Sequence, residues 1–577
     1  MYAPVTRKLT NFVLDILHAI FYELPLLFTE FLSAMIDIIF VGWNLADKLH
    51  EWWFKAPTKT VAQRRIAAAE SFEEWEAAAV LLDKALEKDV WRGVHSSSYY
   101  DYRLIRLRID RLVQAKRDGD VQTIVQVIRS GLLRNLVNIL SPQLYEQAHA
   151  GTKRLIEDYI SEIEDAIEYV ATLETVPLDP KAFDSEDKLR LLHDTRQAYG
   201  RSTLVLQGGA IFGTCHLGIV KALFLRGLLP RIITGTATGA LVAVLVGIHT
   251  DDELLPVLDG EGIDQAVFHR LSRQRRVTKY STFRFFTRDD GYGWLATWIR
   301  RLEACIRDSY FPDLRLLEEY VKITVGHMTF EEAYAKTKRT LNITIPTPGR
   351  RGVPNLLNYI TAPNVLIWSA AVASNVSSAT SSRVTLYCKD ETGAIAPWPD
   401  ADGLIFKSWR QLGYNERERP LSRLSELFNV NHFIVAQARP CGIPIFSSEV
   451  HCPGKVHSSR RIIGDRIRRV IRLEFRHWLR QLDRLGLLPT PLRRLFIYED
   501  IPGSYMTILP EVRFMDMVKM FHPPTVDNVK KWILRGERGT WPAIAAVRVR
   551  CAVELALERG YQVVIPPSKP GFGVGDE

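Results

Sequence analysis

The first group of residues that could carry chemistry is a glycine turn at residues 208–213, with the sequence GGAIFG. It follows a β-branched run at 203–206 and precedes a segment whose apolar residues recur at helical spacing. A glycine turn that opens a helix can direct backbone N–H groups at an anion or at a developing oxyanion. The sequence therefore predicts an anion-stabilising turn between a strand and a helix.

A second glycine turn, GTATG at residues 235–239, has the spacing of a nucleophile elbow. In the G-x-S-x-G elbow, two glycines permit a tight strand-to-helix turn that holds the middle residue above the sheet. The middle residue here is Ala237, which has no hydroxyl. Thr236 and Thr238 flank it, but residues beside an elbow apex point away from the site. The pattern predicts a hydrolase-like elbow without its nucleophile.

A dinucleotide-binding turn is the main alternative for residues 208–213. The G-x-G-x-x-G pattern fails at its second glycine, where Ala210 stands. The acidic residue expected about twenty residues on, at the end of the next strand, is also missing, since Ile233 and Thr234 lie there. These two departures argue against nucleotide binding.

The elements that position both turns form one parallel βαβ unit over residues 202–249. Short β-branched runs at 203–206 and 232–234 each lead through glycines into helix-periodic residues. A strand at 342–349 and a buried helix over 356–374 are expected to add a further β/α pair. The chain is therefore predicted to have an α/β fold with a parallel central sheet.

Composition and charge indicate a folded protein that meets an anionic surface. The 577 residues include 47% apolar side chains and carry a formal net charge of +9, which suits two or three domains with a large core. The basic residues are interleaved with large apolar ones, as at a membrane surface, and no nucleic-acid motif is present. The six cysteines are dispersed, which predicts reduced thiols, and nothing indicates a metal or an organic cofactor.

The N-terminal segment 10–54 is rich in Leu, Ile, Phe and Trp but is interrupted by four acids between residues 15 and 37, so that it lacks eighteen consecutive uncharged residues. These acids are Asp15, Glu23, Glu30 and Asp37. Their spacing places them in one stripe of a helix, which favours a segment that enters or coats a membrane over one that crosses it. A helical hairpin buried against the remaining domains is the alternative.

Two further segments have helical patterns without catalytic residues. Apolar residues at helical spacing fill 60–173, which predicts an all-helical domain. Residues 460–488 form a basic amphipathic pattern with nine arginines, which suits acidic lipid headgroups. A helix that docks on a protein partner fits the same pattern.

The two turns, within one βαβ unit and about two dozen residues apart, resemble those of the patatin-like phospholipase family. The segments FEEWEAAAVLLDKAL, RLSELFNVNHFIVAQARP and RGERGTWPAIAAVRVRCAVE are similar to the fungal and plant triacylglycerol-lipase branch. This resemblance covers most of the chain. It implies a patatin-like three-layer fold in which an aspartate, without a histidine, activates a serine that hydrolyses acyl esters of lipids.

The resemblance also assigns roles by position. Gly208, Gly209, Ala210 and Gly213 fall on the oxyanion turn, Gly235 and Gly239 on the elbow, and Ala237 on the nucleophile. The family's spacing for the catalytic Asp-Gly pair falls on Leu412-Gly413, whereas Asp402-Gly403 matches the dipeptide after a longer loop. Asp402 is thus the candidate base, although Asp-Gly pairs also occur in plain turns.

From these features we expect four regions: a membrane-associated segment at 1–58, a helical domain at 59–175, a patatin-like domain at 198–445, and a helical extension with a disordered tail at 446–577. The expected function is that of a lipid acyl hydrolase family member at a lipid-droplet or endoplasmic-reticulum surface, facing the cytosol, with weak or absent hydrolysis. A non-catalytic lipid-surface protein that partners an active lipase is the alternative. A hydrolase that uses Thr238 or another hydroxyl is a third.

Overall fold

The computed structural model describes residues 57–173, 183–208, 213–260, 321–345, 353–375, 385–401, 420–438, 504–510 and 526–565, with a few isolated residues elsewhere. The chain divides into two compact units, residues 1–68 and 69–577. In the first unit the structure describes helix α1 (Pro57–Ala68). The predicted membrane segment at 10–54 and the tail beyond 565 lie outside the described residues, as does most of the basic segment at 460–488.

The second unit contains a sheet and its surrounding helices. The strands are β1 (Arg201–Gln207), β2 (Ile232–Thr236), β3 (Thr340–Thr344), β4 (Leu356–Leu357), β5 (Tyr387–Lys389), β6 (Ile395–Pro397), β7 (Val430–Gln437) and β8 (Ser504–Ile508). The helices are α2 (Phe72–Ala85), α3 (Lys88–Gly93), α4 (Tyr102–Asp118), α5 (Val121–Gly131), α6 (Arg154–Thr172), α7 (Ser185–Tyr199), α8 (Cys215–Leu225), α9 (Thr238–Ile248), α10 (Asp251–Leu258), α11 (Phe330–Thr337), α12 (Ile367–Ser374), α13 (Pro420–Phe428), α14 (Val526–Thr540) and α15 (Ile544–Val564).

The central sheet has six strands in the order β4-β3-β2-β1-β7-β8. Neighbouring strands are parallel except β3 and β4, which pair antiparallel. Every residue of β2 and β3 is buried, which agrees with their mostly apolar and β-branched sequences. The predicted α/β class is confirmed, but the sheet is mixed and mostly parallel, because a short antiparallel strand lies at one edge.

The helices that follow the two glycine turns pack on different neighbours. Helix α9 packs against β2 and β3, and α8 packs against α14. Helices α2 to α6 lie within the helical domain predicted at 59–175. Together with α7, which lies beyond that boundary, they form a helical region whose last two helices pack against α15. The helical region and the sheet are therefore joined through the C-terminal helix.

The predicted boundary at residue 445 cuts through the sheet. Strand β8 comes from the segment assigned to a helical extension, and it pairs parallel with β7. Helix α14, from the same segment, packs on the helix that follows the first glycine turn. A five-residue strand between helical segments has too weak a local pattern to show which sheet it joins.

The helix predicted over 356–374 is shorter than expected. Its first residues form β4, and the helix begins only at Ile367. Between them, the side-chain carbonyl of Asn358 accepts the N–H groups of Ile360 and Thr361, each at 2.9 Å. This side chain replaces helical bonding with a turn, as asparagine often does. Within the part of the chain that the structure describes, no helix is long and apolar enough to cross a bilayer.

Candidate active site

The second glycine turn adopts the conformation of a strand-to-helix elbow. Strand β2 ends at Thr236, α9 begins at Thr238, and Ala237 between them has φ of 54° and ψ of −124°. A non-glycine residue held at such a positive φ costs about 1–3 kcal/mol. Ala237 is only half-buried, and its N–H donates to Ser374 Oγ at 2.9 Å. The elbow therefore persists without a serine at its apex.

The two glycines of the elbow are required by close backbone contacts. A Cβ atom on Gly235 would lie 2.4 Å from Ala240 Cα, and one on Gly239 would lie 2.0 Å from Leu206 O. Both clashes involve backbone atoms, so that neither can be relieved by a side-chain rotation. These glycines let α9 approach β1 and β2 and thereby produce the tight turn.

The described ends of the first glycine turn contact the elbow. Gly208 has φ of +56°, and its N–H donates to Thr236 O at 3.1 Å. At the other end, a Cβ on Gly213 would lie 2.2 Å from Thr238 Cγ2. The structure thus brings Gly208 and Gly213 to the elbow. Gly209 and Ala210 lie outside the described residues, and their roles stay predictions.

A histidine that the sequence analysis did not single out contacts this turn. His216, in the first turn of α8, is fully buried, and its Nε2 lies 3.2 Å from Gly208 O. Burial lowers the pKa of His216 to about 4, so that the ring is neutral at pH 7 and Nε2–H donates to the carbonyl oxygen. The only sequence signal was a histidine three residues after the last glycine of the turn.

The threonines beside Ala237 are not placed as nucleophiles. The hydroxyl of Thr236 lies 2.7 Å from that of Thr344. Thr238 is 2% exposed, and its methyl group faces Gly213. A nucleophile must be accessible and within reach of a base. This arrangement disfavours hydrolysis through Thr238.

The candidate base, Asp402, lies outside the described residues, immediately after the short 3₁₀ turn Pro399–Ala401. Its role therefore stays a prediction. Among the described residues, no group of three or more His, Cys, Asp or Glu side chains is arranged to hold a metal ion. The described geometry is thus a strand-to-helix elbow without a nucleophile, contacted by both described ends of a glycine turn.

Comparisons with known proteins agree with this geometry. A domain of unknown function (DUF3336) matches residues 52–197, and the patatin-like phospholipase family matches residues 204–401. A triacylglycerol lipase of Schizosaccharomyces pombe is 32% identical over 89% of this chain and 89% of its own length. A triacylglycerol lipase of Arabidopsis thaliana is 31% identical over 86% of this chain and 58% of its own length. Triacylglycerol lipase 4 of Saccharomyces cerevisiae is 31% identical over 86% of this chain and 52% of its own length. The chain belongs to the patatin-like triacylglycerol lipase family.

Proposed function

We propose that this chain binds acyl lipids at the elbow, either neutral lipid or phospholipid, but hydrolyses their esters weakly or not at all. Ala237 at the apex of a preserved elbow is the observation that carries the proposal. Removing the nucleophile of a serine hydrolase lowers kcat by a factor on the order of 10⁶. The neighbouring threonines are buried or hydrogen-bonded and offer no replacement.

Alanine at the apex affects the chemistry and leaves the packing unchanged. The close contacts of Gly235 and Gly239 set the turn, and the N–H of residue 237 is satisfied by Ser374. A serine hydroxyl at this half-buried position would add no packing that the fold needs. A family member can therefore lose hydrolysis here and keep the surface that receives an acyl group.

The proposed location is a lipid-droplet or endoplasmic-reticulum surface on its cytosolic side. The apolar segment at 10–54 and the nine arginines of 460–488 support it, because exposed apolar residues beside cations bind anionic lipid surfaces. Two apolar residues of the basic segment, Trp478 and Leu485, are 57% and 71% exposed. A docking role toward an active lipase would use the same segment.

Hydrolysis is tested with the purified full chain on emulsified triacylglycerol and on phospholipid vesicles. Wild type should release no more fatty acid than the buffer blank and should not react with a fluorophosphonate probe. The Ala237→Ser variant restores the nucleophile, and Ala237→Gly is its matched control. Robust turnover and labelling of wild type would refute the proposal. Labelling of Ala237→Ser that disappears on adding Asp402→Asn would support Asp402 as the base.

Surface binding is tested by flotation with triacylglycerol droplets coated in anionic phospholipid. Wild type should float with the droplets, and a Trp478→Asp/Leu485→Asp variant should float less because two exposed apolar contacts become charged. Val90→Asp, which alters another exposed apolar residue, is the control and should leave flotation unchanged. Equal flotation of all three proteins would exclude the basic segment as the contact.

A further inference from the structure

One helix of the helical region carries a strongly basic outer face. Helix α4 (Tyr102–Asp118) contains six cationic and two acidic residues. Its residues Ile105 and Leu112 are fully buried, and the helix packs against α5 and α6. The opposite side is exposed and carries four arginines and a leucine, here called the basic face: Arg103, Arg106, Leu107, Arg111 and Arg117. At the rise of an α-helix, these arginines extend along about 21 Å.

The arginines of the basic face are not neutralised by ion pairs within the fold. In the part of the chain that the structure describes, none of the four has an ion-pair partner. Arg103 Nε donates to the hydroxyl of Tyr102 at 3.4 Å, which leaves its charge uncompensated. The two acids of the helix, Asp110 and Asp118, are exposed as well and offset two of the four charges. The basic face therefore keeps a net positive charge.

The residues around the basic face do not reverse this charge. Lys116 pairs with Glu162, and Arg108 donates to Gly131 O at 2.7 Å, which ties α4 to the end of α5. The carboxylates that precede α4 and α5 accept the first N–H groups of these helices, so that they offset the partial positive charge of the helix starts. Helix α5 contains no acid and includes the exposed Arg129. It thus adds positive charge beside α4 without adding negative charge.

Leu107 distinguishes among the anionic partners that such a face could meet. Its side chain is 58% exposed, and it lies one helical turn from Arg103 and one from Arg111. Single exposed leucines are common on protein surfaces, but this one is flanked by cations on its own helix face. Anionic phospholipid accepts both kinds of side chain, because the headgroups pair with arginine and the acyl boundary receives leucine. Nucleic acid would meet the arginines with its phosphates but would leave the leucine in water.

We infer that the basic face of α4 binds the headgroups of an anionic phospholipid surface and holds the helical region against it. The inference goes beyond the proposed function, because it assigns a role to the helical region and does not depend on the residue at position 237. It gives the chain a surface contact in addition to the basic segment at 460–488. Two weak contacts on one chain bind a surface far more tightly than either contact alone.

The test titrates the full chain with vesicles of phosphatidylcholine and phosphatidylserine in equal amounts, with sedimentation as the readout. Arg106→Glu/Arg111→Glu should raise the lipid concentration for half-maximal binding by at least about twentyfold, because each cation near an anionic leaflet strengthens binding by about fivefold. Arg106→Lys/Arg111→Lys should bind within about threefold of wild type, because the charge is retained. Equal binding of wild type and the glutamate variant would overturn the inference, and so would equal losses in the lysine and glutamate variants.

Two further variants control for folding and for net charge. Glutamate and arginine have similar helix propensities, so that α4 should stay folded, and urea midpoints check this. Arg103→Gln/Arg117→Gln, which leaves the middle of the helix unaltered, should also weaken binding by about twentyfold. Lys530→Glu/Lys531→Glu changes the net charge as much as the glutamate variant does, at two exposed lysines of α14. It should bind within about threefold of wild type, since salt screens distant charges; an equal loss there would overturn the inference.

Combined variants separate this contact from that of the basic segment. In the Trp478→Asp/Leu485→Asp background, adding Arg106→Glu/Arg111→Glu should weaken vesicle binding again. No further loss would overturn the inference, because the basic segment would then supply the whole contact. Equal binding of wild type to vesicles of phosphatidylcholine alone would overturn it as well. Binding of duplex DNA that is tighter than binding of the anionic vesicles, and that the glutamate variant loses, would show that α4 serves a nucleic acid instead.

Discussion

Replacing Arg134 by alanine should destabilise the second unit by more than any surface substitution. The Arg134 side chain is 8% exposed and lies between the helical region, the sheet and the C-terminal helix. Its guanidinium donates to Ser202 Oγ at 2.8 Å, Gly200 O at 3.1 Å and Arg550 O at 2.5 Å. It also pairs with the carboxylate of Glu554 at 3.1 Å. One side chain therefore joins three parts of the fold.

The size of the destabilisation follows from the unpaired carboxylate of Glu554 that Arg134→Ala leaves in the fold. The Glu554 side chain is 13% exposed. Among the described residues, its carboxylate would without Arg134 keep hydrogen bonds from Ser202 alone, including one from the N–H at 2.7 Å. Breaking a buried ion pair from one side costs about 3–5 kcal/mol, because the remaining charge is uncompensated. This cost is a large fraction of the 5–15 kcal/mol by which domains are typically stable.

Urea unfolding, followed by far-ultraviolet circular dichroism and tryptophan fluorescence, measures the effect. Arg548→Ala is the matched control, because Arg548 is 57% exposed and lies 3.6 Å from Glu164; such surface pairs contribute about 0–1 kcal/mol. The double variant Arg134→Ala/Glu554→Gln removes the orphaned charge and should recover part of the loss. A midpoint shift for Arg134→Ala no larger than that of the control would refute the reasoning.

Three further predictions concern the site. Gly536→Ala should destabilise by about 1–3 kcal/mol, because its Cβ would lie 2.0 Å from Cys215 O; Gly93→Ala, with open space around it, should be neutral, and equal urea midpoints would contradict this. Ala237→Gly should stabilise by about 1 kcal/mol, since glycine relieves the strain at positive φ but loses more backbone entropy; a lower midpoint than wild type would argue against strain. The folded-state pKa of His216 is lowered from 6.5 to about 4, so between these pH values the unfolded chain binds a proton that the folded chain does not. The free energy of unfolding should therefore decrease as the pH is lowered through that window, by up to about 1.4 kcal/mol per pH unit. His216→Gln should flatten the dependence of the urea midpoint on pH, and parallel pH profiles for wild type and variant would contradict the assignment.

The elbow could be predicted from sequence because its two glycines and its apex are close together in the chain. Gly235 and Gly239 lie within five residues. Gly235 is required by the helix that follows it, whereas Gly239 is required by Leu206 of β1, a contact that the local pattern alone does not show. The absence of a hydroxyl at residue 237 is likewise evident from the sequence, which has alanine there. His216 was missed because a histidine in an apolar helix looks the same whether it packs in a core or holds a carbonyl oxygen. Only its position beside Gly208 O distinguishes the two.

The C-terminal part of the fold could not be predicted because its contacts are distant in sequence. Gly218 and Gly536 bring α8 and α14 into backbone contact, where a Cβ on Gly218 would lie 1.8 Å from Ile533 O. Nothing near either glycine indicates its partner. Strand β8 similarly depends on pairing with β7, which precedes it by more than sixty residues. A boundary drawn from local pattern therefore separated elements that pack together.

The strained backbone of Ala237 indicates that the fold sets the geometry of the elbow independently of the side chain at its apex. A positive φ at a non-glycine residue persists only if the surrounding structure imposes it. Here the close approach of α9 to β1 and β2, which Gly239 and Gly235 permit, imposes it. Because that approach is independent of the side chain at 237, alanine inherits the geometry that a nucleophile would use. A single Ala237→Ser exchange should then place an oxygen at the apex without rearranging the backbone.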